Sequence, residues 1–333
     1  MTDLRLSLTD ARRLVVDTMI RCRTSRPNAE AVAEALLGAE LAGQFGHGLR
    51  RVQTYGEQSL IGKVDGFATP TAEAVRPGAL AVDAALGFAY PALDLALDWL
   101  PAAARANGIA IAGLTRSHHC GVAGIPVEKL AEQGLMAILT ANAPASMAPW
   151  GGSKPLYGTD PLAFAAPIAG ADPVVVDISL SKVARGKILA AVQRGEPIPE
   201  GWAVDENGNP TTDAKAAMRG TMLPMGDAKG TSLAIMVEML CAGLNNANFG
   251  YESSGFMDAE GPAPATGQTI IAIDAGVFSA NATQRFADLA GEIEAQDGAR
   301  LPGRRRQQIR AEITEKGIPV DEGLLATIDA LGR

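Results

Sequence analysis

Residues 108–124 read GIAIAGLTRSHHCGVAG. The first half is a run of small and β-branched residues bounded by glycine, as buried strands are. The second half is a turn rich in small residues, and IPVEKLAEQG follows it with helical texture. A strand that runs through such a turn into a helix leaves free N–H groups and a helix N-terminus facing an anion. The same alternation recurs outward from here. Further short strands are expected at GALAVDAA (78–85), LMAILTAN (135–142), PVVVDIS (173–179) and TIIAID (269–274). Helical stretches separate them: YPALDLALDWLPAAARANG, LSKVARGKILAAVQRG and GTSLAIMVEMLCAGLNN. Strands alternating with helices argue an α/β core.

Both ends of the chain read differently. SLTDARRLVVDTMIRC opens on the cap candidates Ser7, Thr9 and Asp10 and keeps Leu14, Val15 and Met19 on one stripe. Pro27 suits the first turn of the next helix, NAEAVAEALLGAELAG. After about residue 280 charged helices return, in RRRQQIRAEITEKG and VDEGLLATIDALGR. The expected layout is an N-terminal helical segment over 1–75, a central α/β unit over 76–280, and C-terminal helices over 281–333 that pack back on the first segment. No internal repeat or low-complexity linker is visible.

The chain has 333 residues, 47% of them hydrophobic, enough for a sizeable core. Its net charge of −8 repels nucleic acid and anionic lipid, so positive sites must be local. No basic run with interleaved aromatics is present, and apolar stretches break well short of a membrane span of about 20 residues. Cys22, Cys120 and Cys241 are sparse and at no metal-like spacing. These features, and a start without a signal-peptide pattern, lead to an expected cytoplasmic protein with no metal, nucleic-acid or membrane partner.

Chemistry concentrates in a few places. In QFGHGLRRVQTY (44–55), His47 is one of only three histidines and sits between two glycines. It reads either as a loop histidine held by backbone hydrogen bonds or as a general acid/base titrating near 6.5. Arg51 favours the second reading, since a guanidinium fork matches a carboxylate that His47 could serve with a proton. Arg50 is expected to diverge from it. In TRSHHCGVAG, His118 and His119 are adjacent and cannot share a face, so at most one enters a site. APWGGSKPLYGTDP places Thr159 and Asp160 after a glycine turn, DISLSKVARGK ends a strand at Asp177, and PMGDAKGTS sets Gly226, Lys229 and Gly230 before a helix. The last is built like a phosphate cradle, although no Walker A loop or G-x-G-x-x-G occurs. Four such loops in one α/β core suggest a nucleotide-sized ligand. A non-catalytic nucleotide-binding module would share the loops without needing His47 or Arg51.

GHGLRR, TRSHHCGVAG, APWGG…PLYGTDPLAFAAP, DISLSKVARGKI, IPEGWAVDENGNPTTD and GDAKGTSLAIMVEML, in this order, resemble the malate/L-lactate dehydrogenase family of the second type. That family holds malate, lactate, sulfolactate and ureidoglycolate dehydrogenases, diketogulonate reductase and reductases of cyclic imines. The resemblance implies a central NAD(P)-binding domain that is not a Rossmann fold, under a helical layer formed by both termini. It places the proton donor at His47 and the carboxylate clamp at Arg51. It puts further substrate contacts at Thr159, Arg185, Gly186 and His119. Cofactor contacts fall on His119, Cys120, Gly121, Val122 and Ala123, then Asp177, Ile178 and Ser179, then Asp227, Ala228, Lys229 and Gly230. Gly303, Arg304 and Arg305 fall on the segment that reaches the cofactor's phosphates or adenosine end.

Two positions depart from the family pattern. Gly46 stands where the family has serine, and Lys187 stands where imine reductases of the piperideine type carry a relay Asp. The implied activity is hydride transfer from reduced NADP or NAD, with NADPH slightly favoured, to a carbon next to a carboxylate in a homodimeric enzyme. A cyclic iminium asks less of an acid catalyst than a ketone does. The missing serine therefore favours Δ1-pyrroline-2-carboxylate or Δ1-piperideine-2-carboxylate. The positive charge of Arg50, Arg51, Arg185 and Lys187 suits a dianion such as sulfolactate or malate as the alternative. Arg116, Lys182 and Arg304–Arg306 are candidate partners for a 2′-phosphate.

Overall fold

Short serine caps start the chain. Ser7 follows β1 (Arg5–Leu6), and its hydroxyl accepts from Asp10 N at 3.0 Å to open α1 (Leu8–Arg21). Ser25 opens α2 (Arg26–Leu41) in the same way, with proline in the first turn. A single 3₁₀ turn, Phe45–His47, leads to α3 (Arg51–Ile61), which stops at Gly62 with φ 79°. A computed structural model describes residues 4–333 of the chain.

β2 (Thr71–Arg76) and β3 (Ala79–Asp83) form a hairpin. α4 (Ala89–Asn107), β4 (Ile109–Ser117), α5 (Gly124–Ala131) and β5 (Leu135–Ala141) follow, and then β6 (Leu162–Ile168) and β7 (Ala171–Ile178). An excursion carries α6 (Arg185–Arg194), β8 (Ala203–Val204), β9 (Pro210–Thr211), α7 (Ala214–Arg219), β10 (Thr221–Met222) and α8 (Ala228–Glu238). The chain then returns in β11 (Thr266–Asp274) and ends with α9 (Ala282–Glu294), α10 (Arg304–Lys316), β12 (Ile318–Pro319) and α11 (Glu322–Ala330).

Seven strands make the central sheet in the order β2-β3-β4-β11-β5-β6-β7. Alternating strands and helices suggest parallel crossovers, yet only β3 and β4 run parallel, joined by α4. Every other neighbouring pair is antiparallel. β11 slots between β4 and β5, so Ile270 faces Ala112 on one side and Leu139 on the other. Alternate residues of β4, Ala110, Ala112 and Leu114, are buried in the main core. Alanines on α4 (Ala92, Ala96, Ala104) have no accessible surface, which lets the helix lie close to the sheet. A separate apolar cluster under the excursion gathers Met147, Leu180, Ile188, Ala203 and Val237.

The chain ends meet. β1 pairs with β12, Leu6 opposite Ile318, and Arg21 Nε donates to Leu331 O at 3.1 Å. Among the described residues no helix is long and apolar enough to cross a membrane.

Candidate functional site

The 3₁₀ turn that carries His47 is held from beneath. Glu40, buried on α2, accepts Leu49 N at 2.7 Å, and its carboxyl fills the space a side chain at Gly48 would need. Gly48 is therefore a packing requirement. Gly46 is not: a Cβ there meets nothing within 4 Å. Arg51 begins α3 and is only 9% exposed. Its Nε donates to Gly46 O at 2.9 Å and its Nη1 lies 2.8 Å from Met257 Sδ. Among the described residues no carboxylate pairs with it. Arg50 points away, pairing with Asp321 at 3.3 Å on the surface.

His119 completes the cluster. Its ring stacks on His47 with centroids 5.1 Å apart and planes 13° from parallel. Its Nδ1 lies 2.6 Å from Tyr55 Oη, which lies 2.9 Å from Tyr90 Oη. His118 packs against Tyr55, Phe88 and Phe256, is 1% exposed, and leaves both ring nitrogens without a partner. The expectation that His47 titrates near its ordinary value is overturned. Burial first, and the Arg51 charge second, push its pKa down to about 4. His119 is held well below the usual range for the same reasons, and His118 is pushed to about 3 by burial with Lys63 and Arg51 nearby.

The loop after β4 keeps its shape through glycine. Gly121 has φ 71°, and a Cβ there would lie 2.9 Å from Tyr90 Oη. Cys120, Val122 and Ala123 are buried around it, and burial lifts the Cys120 thiol to about 12. Asp177, near the end of β7, accepts Gly124 N at 2.9 Å and so caps α5; burial raises its pKa against that bond and the Arg306 charge. Ile178 is half-buried, and Ser179 Oγ lies 3.2 Å from Ser181 Oγ. Arg306 reaches Glu128 at 3.1 Å and Asp177 at 3.8 Å, while Arg304 is bound to Glu294 at 2.5 Å. Arg305 is exposed and makes no ion pair among the described residues. Gly303, with φ 93°, brings the start of α10 against Val175 of β7. Arg116 is engaged by Asp83 through two hydrogen bonds, at 2.8 and 2.5 Å.

Backbone hydrogen bonds stitch the remaining loops together. Leu180 N donates to Thr159 O at 2.8 Å, and Met225 N donates to Leu180 O at 2.8 Å. The half-buried Thr159, the end of β7 and the Gly226–Gly230 loop therefore meet at Leu180. Asp227, Ala228 and Lys229 are exposed, and Gly230 is buried where a side chain would collide with Met225 O. Arg185 opens α6 half-buried, with its pKa lowered by desolvation and no acid partner among the described residues; Gly186 beside it is exposed. Behind Thr159, the fully buried Asp160 accepts Ala143 N at 3.2 Å but leaves Oδ2 unpaired. Glu238 accepts from Asn142 and Gly250, and burial lifts it to about 7; burial and Glu238 hold Asp160 well above the carboxylate range.

Thus His47, Arg51 and His119 form one cluster, and the Cys120–Ala123, Asp177–Ser179, Thr159 and Asp227–Gly230 segments form a connected rim. Sequence reasoning missed Tyr55, Tyr90, Met257 and the Asp160–Glu238 pair. Tyr55 had a signal, for it follows Arg51 by four residues on one helix face.

Over residues 6–329 the chain matches the family model described as malate/L-lactate dehydrogenase. It is 47% identical over 307 residues to (2R)-3-sulfolactate dehydrogenase (NADP(+)) of Chromohalobacter salexigens, covering 92% of each chain. It is 38% identical to the Δ1-pyrroline-2-carboxylate/Δ1-piperideine-2-carboxylate reductase of Pseudomonas putida, covering 96% of this chain and 95% of that one. The crystal structure of Δ1-piperideine-2-carboxylate reductase from Pseudomonas syringae pv. tomato superposes with a TM-score of 0.93 at 36% identity, over 98% of this chain and 99% of that one. The mixed α/β fold and the chain-long sequence match agree, and the chain belongs to the malate/L-lactate dehydrogenase family.

Proposed function

We infer that the protein is an NAD(P)H-dependent oxidoreductase that reduces a C=N or C=O carbon next to a carboxylate. Its preferred substrate on this reading is a cyclic imino acid, Δ1-pyrroline-2-carboxylate or Δ1-piperideine-2-carboxylate, reduced to proline or pipecolate. The observation that carries the reading is Arg51: a guanidinium 9% exposed, with no carboxylate partner among the described residues, next to His47. A buried charge without a counterion is costly, and a bound carboxylate would complete it in a bidentate pair.

The rim fits a dinucleotide. A β-carbon at Gly121 would crowd Tyr90, so the loop after β4 keeps a bare backbone there, and Lys229 of the Asp227–Gly230 segment and Arg305 of α10 are exposed without an ion pair among the described residues. Residues Cys120–Ala123, Asp177–Ser179, Asp227–Gly230 and Gly303–Arg305 would hold the cofactor, with NADPH favoured. When bound, it supplies the hydride. Arg51 grips the carboxylate, and Thr159, Arg185 and Gly186 orient the rest so that the reacting atoms come within about 3–3.5 Å. His47 and His119 manage the proton. With its pKa near 4, His47 is neutral at physiological pH and has little imidazolium to donate from, which suits a substrate arriving as an iminium with its own proton.

A second reading rests on Arg185, a half-buried cation without an acid partner among the described residues. Its charge suits a substrate with a second anionic group, and the 47%-identical relative bears the name of a sulfolactate dehydrogenase. We place the reaction in a non-Rossmann central domain over 76–280. In this layout residues 1–75 contribute His47 and Arg51, and residues 281–333 close the helical layer. Exposed Ile235, Met236 and Met239 along and just after α8 support a homodimer, and the chemistry suits the cytoplasm.

The test is nicotinamide oxidation, with NADPH and NADH, against both cyclic imines, sulfopyruvate, oxaloacetate and pyruvate. The reading expects highest kcat/KM on the imines, and Arg51→Lys should raise KM about 10- to 100-fold through loss of the fork. An unchanged KM in that variant removes Arg51 from its role. Sulfopyruvate as best substrate selects the second reading.

A further inference from the structure

We propose that Tyr55, backed by Tyr90, is a positioning residue that locks His119 in one tautomer, with Nδ1 bare and the proton on Nε2. This deepens the hydride-transfer reading and rests on it for its purpose, though not for its geometry. Three polar atoms stand in a row: Tyr90 Oη, Tyr55 Oη at 2.9 Å, and His119 Nδ1 at 2.6 Å from Tyr55. Both tyrosines are buried, and neither hydroxyl has another partner among the described residues. The row can run in two directions. If His119 Nδ1 carries the proton, it donates to Tyr55, Tyr55 donates to Tyr90, and the Tyr90 hydrogen is left buried with nothing to accept it. If the row runs the other way, Tyr90 donates to Tyr55, Tyr55 donates to Nδ1, both hydroxyl hydrogens are used, and the one unpaired hydrogen sits on Nε2, which is not among the buried unpartnered atoms. An orphaned buried donor costs more than an unfilled lone pair on an oxygen that already donates, so the second direction wins.

The phenols keep their protons, for burial pushes Tyr55 up to about 12 and Tyr90 well above its ordinary value. A charged His119 would carry protons on both nitrogens, reverse the Tyr55 bond and orphan the Tyr90 hydrogen, in addition to facing Arg51 and His47. The imidazole is thus held neutral, and its Nε2–H, which has no protein partner among the described residues, is free to donate to a ligand lying against the His47–His119 stack. Two histidines side by side then divide the work. His47 is the ring free to exchange a proton, and His119 is a fixed donor that orients an oxygen or nitrogen. Neither Gly46 nor Lys187 enters this arrangement, so it stands despite both departures from the family pattern.

The experiment is ring-nitrogen NMR on the full-length protein labelled with ¹⁵N-histidine. Only three imidazoles are present, and spectra of His47→Asn and His118→Phe identify His119 by elimination. The expected result is an unprotonated Nδ1 and a protonated Nε2 for His119, unchanged from pH 6 to 9. Tyr55→Phe should mix or reverse the tautomer and lower kcat about tenfold while KM for the carboxylate moves less. Tyr90→Phe should mix the tautomer partially. A proton on Nδ1 in the wild-type protein overturns the proposal, as does a tautomer untouched by both substitutions. If Tyr55→Phe does not fold, the wild-type spectrum and Tyr90→Phe still decide. The tautomer is read without turnover, so an inactive protein with the expected spectrum refutes the hydride-transfer reading alone.

Discussion

Gly46 offers the sharpest residue-scale test. The position has open space around its α-carbon and no positive φ, so Gly46→Ser restores the family hydroxyl without a clash. A serine there can hydrogen-bond the neighbouring imidazole and improve proton delivery. The variant should raise kcat on 2-oxo acids several-fold, by about 1 kcal/mol of barrier, and change imine reduction little. Equal gains on both substrate classes would remove the link between the missing hydroxyl and the iminium preference. The proximity of His47 and Arg51 was legible in the sequence, because four residues across the 3₁₀ turn and the start of α3 keep them together, although the sequence left a loop-histidine reading of His47 open. Two things could not be read. The depth at which His47 lies depends on His119, which arrives from a distant strand, so its lowered pKa was invisible. The Tyr55–Tyr90 pair is likewise a long-range contact, and a tyrosine in a sequence says nothing of its partner.

At the scale of elements, one ammonium organises a whole loop. Lys63 has no side-chain exposure and donates to Gly255 O at 2.7 Å, to Asp258 Oδ1 at 3.0 Å and to Glu260 O. Gln58 on α3 adds a bond to Asp258 O at 2.6 Å. The loop so pinned carries Phe256, packed on His118 and His119, and Met257, which touches Arg51. Lys63→Met leaves several carbonyls unpaired and should cost about 2–3 kcal/mol in urea unfolding, with faster proteolysis within residues 249–264 and a higher KM. Wild-type proteolysis in the variant would show that the loop is held by other contacts. Helices α1 and α2 were legible because serine caps and apolar stripes mark them, α4 from its long apolar run and α10 from its run of charged residues. Strands β2 and β6 were not. Every residue of β2 is exposed, so no alternation shows, and β6 contains Pro167 at a register shift, where the missing donor does no harm. The mostly antiparallel pairing was hidden as well, since small apolar strands between helices look alike whichever way they run.

Across the whole molecule, buried titratable groups pull in opposite directions. His47, His118 and His119 have pKa values below their unfolded ones, so the unfolded chain binds more protons below about pH 6.5 and stability falls as pH drops toward about 4. Glu40 and Glu238 are raised to about 7, so their contribution is full below about 4.5 and is lost as pH rises through 7. The two sets offset each other in the window between. His118→Phe removes one histidine from an aromatic cage that a phenyl ring fits. From pH 6.5 to 5 the variant should lose about 2 kcal/mol less than wild type, read from urea midpoints at each pH. Parallel curves for the two proteins would mean that His118 is not neutral by burial.

The place of β11 has a consequence for how the polypeptide is made. β4 and β5 never touch; the strand that joins them is synthesised last of the seven, after the entire excursion through α8. A nascent chain that has not yet emerged past residue 266 holds two half-sheets with raw edges facing one another, the arrangement most open to pairing with a neighbour. The His47–His119 stack draws on the first seventy residues and the loop after β4, and Phe256 and Met257 reach it from the segment just before β11, so most of the chain must leave the ribosome before this cluster can close.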